Sequence, residues 1–301
     1  METTAFQYEH QAMATYFKLV IYNEEEKYAI NASDQVFRLI DEMENRLSRF
    51  IPDSEISRIN RMRSGDQLPI DFETWEVMKR AFQAHQLSGG AFDIGVARHM
   101  DIFRATKQGI LNDYEMHNAL QKEQERKSKA QFYLDPDQPL IICGEPGMQF
   151  DLGGIGKGYV VDVVKNHLQA IGIATFSLSA GDSTLLLSND PKVLPFFKYP
   201  ISAKFEQRIL KLNNLTISAS GTYYQGKHIF DPRTGENDFD SPYDMTWVAA
   251  TNASFSDAFS TAAFMLSVEE MEEIITKSDE IIWMAYAKDG KLNFVGKNDI
   301  N

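Results

Sequence analysis

Aromatic and β-branched residues alternate with other side chains over residues 16–22, a period of two that predicts a β-strand. The period then changes. Val36, Leu39, Ile40, Met43 and Leu47 fall along one face at helical spacing, which predicts a helix entered through Ser33 as N-cap. Its opposite face, Asp41, Glu42, Glu44 and Asn45, is a solvated surface. A second helix over 71–87 is expected to bury Trp75, Met78 and Phe82 and to stop at Ser88-Gly89-Gly90, a glycine C-cap. A strongly polar third helix over 112–129 reads as surface. Pro136, Pro139 and Gly144-Glu145-Pro146-Gly147 then punctuate short strands around 140–143. Beyond residue 150 the pattern predicts a helix over 159–170, strands at 175–178, 184–188, 208–212 and 216–218, and a helix over 256–266. A short acidic helix at 269–277 follows, then a hairpin whose strands, 281–287 and 291–295, flank the turn Asp289-Gly290. Strands and helices come in mixed order, so the fold class is α+β.

The length, 301 residues, is enough for one large domain over 1–301 or two closely packed lobes, with no repeat and no low-complexity linker. Hydrophobic residues make up 43% and charged residues 24%, the ordinary balance of a globular chain. A formal charge of −13 argues against a nucleic-acid partner, which would need a basic footprint. Cys143 is the only cysteine, so no disulfide can form within the chain. The first residues, Met1-Glu2-Thr3-Thr4-Ala5-Phe6, show no basic, apolar or cleavage region of a leader, and no stretch reads as a transmembrane segment. The expected location is cytoplasmic; an exported protein shorn of its leader is the alternative.

The candidate chemistry begins at Asp151-Leu152-Gly153-Gly154-Ile155-Gly156-Lys157-Gly158-Tyr159, four glycines in six positions just before a helix. Such density points to a main chain that adopts positive φ or is closely approached. A helix N-terminus after such a turn suits a phosphate; a plain strand-to-helix turn is the other reading. Asp257 and Thr261 lie four apart on a helix, hence on one face, and offer oxygen to a hard cation. Alternatively Asp257 is a helix cap and Thr261 a packed side chain. His228 precedes the turn Asp231-Pro232-Arg233-Thr234-Gly235, and an imidazole there could take a hydroxyl proton, or be structural.

Five blocks in order carry a resemblance: the glycine-rich turn, Leu47 through Asn60, Gly89-Gly90-Ala91-Phe92-Asp93-Ile94, His228 through Gly235, and Ser256 through Ala262. From about residue 13 to 266 the chain closely resembles the ApbE family, the FAD:protein FMN transferases. The resemblance implies a T-fold-like architecture of mixed, largely antiparallel sheets and packed helices, with FAD as substrate and Mg²⁺ as cofactor. It implies that Asp257, Thr261, Ser260 and the Gly154 carbonyl hold the metal, although some relatives have an acidic residue where Ser260 stands. It places Met13, Phe50, Ala91, Phe92, Asp93, Asp151, Lys157 and Phe230 against the flavin nucleotide and makes His228 the catalytic base beside Asp257. Two blocks depart from the pattern: Ala14 replaces the glycine of a Met-Gly-Thr block, and Gly181-Asp182-Ser183 has Asp182 where a second glycine is expected.

The implied reaction is transfer of FMN from FAD to a Thr or Ser hydroxyl of an acceptor protein, with release of AMP. Two alternatives stand beside it. Water in place of the hydroxyl would make the chain an FAD pyrophosphatase, and a chain without chemistry would be an FAD-binding or storage protein.

Overall fold

The computed structural model describes residues 4–221, 230–235 and 241–296. Contacts divide the chain into two compact units, Met1–Glu44 with Ile155–Gly226 and Asp240–Asn301, and Asn45–Gly154 with Lys227–Phe239. The fold is α+β, as the mixed order of elements predicts.

The first unit is built on an eight-stranded sheet in the order β1-β2-β6-β7-β10-β11-β12-β13, every neighbouring pair antiparallel. These strands are β1 Ala5–Ala12, β2 Thr15–Tyr22, β6 Phe176–Ala180, β7 Thr184–Ser188, β10 Leu215–Gly221, β11 Met245–Ala250, β12 Ile281–Lys288 and β13 Lys291–Gly296. Period-two alternation gives the sheet two chemically different faces. Ile217, Trp247, Trp283 and Leu292 point to one side. There they form a core with Phe197, Ile201 and Leu210 of a separate hairpin, β8 Phe197–Ala203 and β9 Glu206–Leu212. Each large side chain buried in this way contributes roughly 1.5–3 kcal/mol. On another part of the sheet, α7 (Ala253–Ala263) lies over β7, β10 and β11 and packs against α6 (Gly156–Ala170). The amphipathic α8, Val268–Lys277, packs on β12 and β13 and is opened by a capping box from Ser267 and Glu270.

The hairpin turn at Asp289-Gly290 is as expected, with φ of 53° and 75°. Several boundaries differ from the sequence reading, among them the start of the helix expected over 159–170, which begins at Gly156. The first helix, α1, runs Glu26–Leu47 and begins well before Ser33, whose hydroxyl instead donates to the Ile30 carbonyl at 2.8 Å inside the helix. The helix α7 begins at Ala253 rather than near Ser256, because the Asn252 side chain accepts from Phe255 N–H and caps it. Asp257 therefore sits in the second turn and is no cap.

The second unit holds α2 (Glu55–Ile59), α3 (Phe72–Leu87), α4 (Ala97–Lys107) and α5 (Asp113–Lys127). Beside them lies a small antiparallel sheet in the order β3-β5-β4, formed by Gln67–Pro69, Leu140–Glu145 and Gln131–Leu134. As expected, α3 ends before Gly89 and Gly90, whose φ values are 58° and 85°. Phe82, expected in the core, is only half-buried and lines a cavity. Among the described residues no helix is long and apolar enough to cross a membrane.

Candidate active site

None of Gly153, Gly154, Gly156 and Gly158 has a positive φ, so left-handed backbone is not what the glycine density serves. At Gly158 the reason is close approach. A Cβ there would stand 2.1 Å from the Ala253 carbonyl oxygen and 2.8 Å from the Asp257 Cβ. The missing side chain lets α6 and α7 touch through their backbones. It also lets the Gly158 N–H, in the first turn of α6, donate to Asp257 Oδ2 at 3.1 Å. The N-terminus expected to attract an external phosphate thus gives one of its N–H groups to a carboxylate of the chain itself.

Asp257 is 4% exposed. Its other oxygen, Oδ1, accepts from Thr184 Oγ1 of β7 at 3.2 Å, and Lys157 Nζ lies 3.9 Å from Oδ2. Burial pushes the carboxyl pKa up; Lys157, the Gly158 N–H and the Thr184 hydroxyl pull against that rise, and Asp162 adds to it. Asp162, also on α6, accepts from Ala253 N–H at 2.6 Å, Ser254 N–H at 2.9 Å and the Ser254 hydroxyl. It fixes the start of α7 and so the height of Asp257. Every residue of α7 is buried except Thr261, one turn beyond Asp257 on the same face. The Ser260 hydroxyl is engaged elsewhere: it donates to the Asp257 carbonyl at 2.9 Å and shares a 3.0 Å hydrogen bond with Ser220.

Met13 and Ala14 form the two-residue turn between β1 and β2, at φ of 51° and 56°. Both centres of such a turn need positive φ, which glycine meets without strain and alanine does not. Gly181 (φ 61°) closes the β6–β7 connection so near Thr15 that a Cβ would lie 2.5 Å from its hydroxyl.

In the second unit, the block from Leu47 to Asn60 tethers the entry to the glycine-rich turn. Arg49 Nε donates to Asp151 Oδ2 at 2.6 Å, and its terminal nitrogens grip Asp101 at 2.8 and 3.1 Å. Burial lowers the Arg49 pKa, but Asp101 and Asp151 together carry it above its ordinary value. Asp151 Oδ1 accepts from Gly153 N–H, while the Asn60 amide pairs with both backbone groups of Phe150 at 2.7 and 2.9 Å. Phe50 stands 63% exposed, with the guanidinium groups of Arg49 and Arg104 4.4 and 5.2 Å from its ring centre. Ala91 and Phe92 are buried. Asp93 accepts from Gly95 N–H at 2.6 Å and pairs with Lys127 at 2.7 Å, at the wall of a 450 Å³ cavity lined also by Phe82, Met148, Phe150 and Arg233. Phe230 is buried, its ring stacked 4.8 Å from that of His99.

The first unit thus joins Lys157, Asp257, Ser260 and Thr261, and the second joins Phe50 and Asp151 through Arg49. Gly154 is the last residue of the long segment of the second unit, and His228 lies outside the described residues. The sequence reading passed over Thr184 and Asp162. The four-residue step from Gly158 to Asp162 was a usable signal, since it puts both on the face of α6 that meets α7.

Among the described residues no group of three or more His, Cys, Asp or Glu side chains could hold a metal. The donors at Asp257 and Thr261 are oxygen, with one formal charge. That set fits a hard cation that shares its sphere with phosphate oxygens, and does not fit zinc or a redox metal.

Several known proteins are similar. A Vibrio cholerae FAD:protein FMN transferase is 26% identical over 217 residues, 67% of this chain and 63% of that relative, so the match spans a little under two thirds of its length. A Klebsiella pneumoniae protein of the same name is 25% identical across 89% of this chain and 85% of its own. Among solved structures, the flavin transferase ApbE from Vibrio cholerae superposes with a TM-score of 0.81 at 20% identity, covering 99% of both chains. The Pseudomonas stutzeri flavinyl transferase ApbE in its apo form gives 0.80 at 18% identity, over 98% of this chain and 94% of that one. The fold is therefore that of these transferases. Residues 13–284 match the model of the ApbE family, and the chain belongs to that family.

Proposed function

We propose that this protein transfers FMN from FAD to a Thr or Ser hydroxyl of an acceptor protein and releases AMP. The observation that carries the reading is Asp257: a buried carboxylate, held by two donors, on a helix whose single non-buried residue is the neighbouring Thr261. A wholly structural aspartate would gain nothing from such an opening. The relatives named FAD:protein FMN transferase support the same assignment.

Asp257 and Thr261 would hold Mg²⁺. Ser260 would be the weakest ligand beside them, because its hydroxyl already has partners. When bound, the cation neutralises charge that develops on the pyrophosphate during displacement. Lys157 adds a positive charge beside it. Within the second unit, the exposed ring of Phe50 would offer a face to the planar flavin, and Arg49 holds Asp151 in place. In the reaction the acceptor oxygen forms a bond to the FMN phosphorus, and the bond from that phosphorus to the bridging oxygen breaks. AMP leaves with that oxygen, and the hydroxyl proton passes to His228 as base.

The test is incubation with FAD, Mg²⁺ and a candidate acceptor, read as AMP release and as flavin fluorescence on the acceptor in a denaturing gel. Acceptor-dependent AMP release with a fluorescent band is expected, and both should vanish in Asp257→Asn. AMP released at the same rate without acceptor, and no band, would make the chain a hydrolase instead.

A further inference from the structure

Behind Asp257 lie three buried hydroxyls that the proposed reaction does not use. Thr184 is 1% exposed, and Ser218 and Ser256 are fully buried. Thr184 and Ser218 are directly opposite each other on β7 and β10, and their side chains point at α7. Ser218 Oγ is 3.1 Å from Thr184 Oγ1 and 2.8 Å from Ser256 Oγ. The chain of contacts ends at Asp257, where Thr184 Oγ1 meets Oδ1 at 3.2 Å. A helix-on-sheet contact is ordinarily filled with Ala and Val, and a buried hydroxyl is unfavourable unless it is hydrogen-bonded. These three are satisfied through one another, through the carboxylate and, for Ser256, through the Ala253 carbonyl.

Each hydroxyl has a single proton to donate. An ionised Asp257 can only accept, so Thr184 must donate to it. Thr184 then accepts from Ser218, whose oxygen also lies 2.8 Å from that of Ser256, a hydroxyl that donates to the Ala253 carbonyl at 3.1 Å. The O–H dipoles of Thr184 and Ser218 both point toward the carboxylate. Hydrogen bonds aligned in this way strengthen one another.

We propose that Thr184 is a positioning residue for the cation site, with Ser218 setting the direction of its proton. Its O–H occupies one lone pair of Oδ1, as the Gly158 N–H occupies one of Oδ2, and the remaining lone pairs are thereby aimed. The inference rests on reading Asp257 as a cation ligand. Partners that orient a ligating side chain without touching the metal are worth about 10- to 100-fold in metal affinity.

The test titrates Mn²⁺ into the full chain with FAD present and follows the free-Mn²⁺ electron spin resonance signal, with protein-free FAD and Mn²⁺ as blank. Thr184→Val keeps the shape and removes the hydroxyl; Thr184→Ser keeps the hydroxyl. Valine should weaken Mn²⁺ binding about 10- to 100-fold, and serine should stay within about threefold of wild type. Ser218→Ala, which leaves the Thr184 hydroxyl in place, should weaken it several-fold and serves if the valine variant does not fold. Circular dichroism checks the fold of each. Wild type and Asp257→Asn binding alike would remove the metal reading itself. Normal binding by wild type matched by Thr184→Val or, if that variant does not fold, by Ser218→Ala, or equal losses in Thr184→Val and Thr184→Ser, would overturn the role of the hydroxyl while leaving Asp257 in place.

Discussion

Replacing Gly158 with alanine adds one methyl group where α6 meets α7, and the geometry sets the consequence. The new Cβ would lie 2.1 Å from the Ala253 oxygen, 2.6 Å from its carbonyl carbon and 2.8 Å from Asp257 Cβ, against ordinary contacts of 3.4 Å and above. The first two are main-chain atoms, so no rotamer change relieves the clash and one helix must retreat by more than an ångström. That movement pulls Asp257 from the Gly158 N–H and loosens the hold of Asp162 on Ala253 and Ser254. Overpacking of a tight contact costs about 1–3 kcal/mol, and rigid backbone puts this site at the upper end. Alanine returns about 1 kcal/mol as the better helix former. The net expectation is a loss of about 2 kcal/mol, roughly 3 °C in Tm for a chain of this size. Scanning calorimetry measures it, and Mn²⁺ binding on the same sample should weaken because the carboxylate has moved. A Tm equal to or above wild type would show helix propensity dominating, and the close approach at Gly158 would no longer explain that glycine.

Two further outcomes follow from strained or buried groups elsewhere. Ala14→Gly should raise stability by up to about 1 kcal/mol, because it relieves an alanine at φ of 56° while adding unfolded-state entropy; a lower midpoint in urea would refute the strain. His99 is 1% exposed, its ring shut away from water. Burial, with the charge of Lys127, brings its pKa down from 6.5 to about 4, against smaller opposing effects of Gln124 and Asp93. Below pH 6.5 the unfolded chain binds a proton that the folded chain refuses, so this contribution to stability is lost as pH falls and levels off below 4. Between pH 7 and 4 wild type should lose about 3 kcal/mol more than His99→Leu in urea unfolding; identical losses would show that His99 titrates freely.

What the sequence made legible is what depends on neighbours along the chain. The period-two strands around the sheet, the Asp289-Gly290 turn and the helix stop at Gly89-Gly90 all follow from local backbone preference. So does the shared face of Asp257 and Thr261, which needs nothing beyond the helical repeat. The edge strand β1 gives little contrast, because up to Gln11 its burial alternates only between exposed and half-buried, which leaves Phe6 and Tyr8 among polar residues. Ser33 was misread for a related reason: a serine can cap a helix or bond back inside one, and only the tertiary contacts of Glu26–Leu47 decide.

The site divides along the same line. Gly158 was visible as a glycine, but its purpose is set by Ala253 and Asp257, about a hundred residues away, and a density of glycine alone suggests a phosphate as readily as a helix contact. Thr184, Ser218 and Ser256 are ordinary residues in ordinary places, separated by 34 and 38 positions and given meaning only by the register of β7 on β10. Spacing finds donors that share an element. It cannot find donors that converge from a strand, a neighbouring strand and a helix, and in this chain the groups that orient Asp257 are of that second kind.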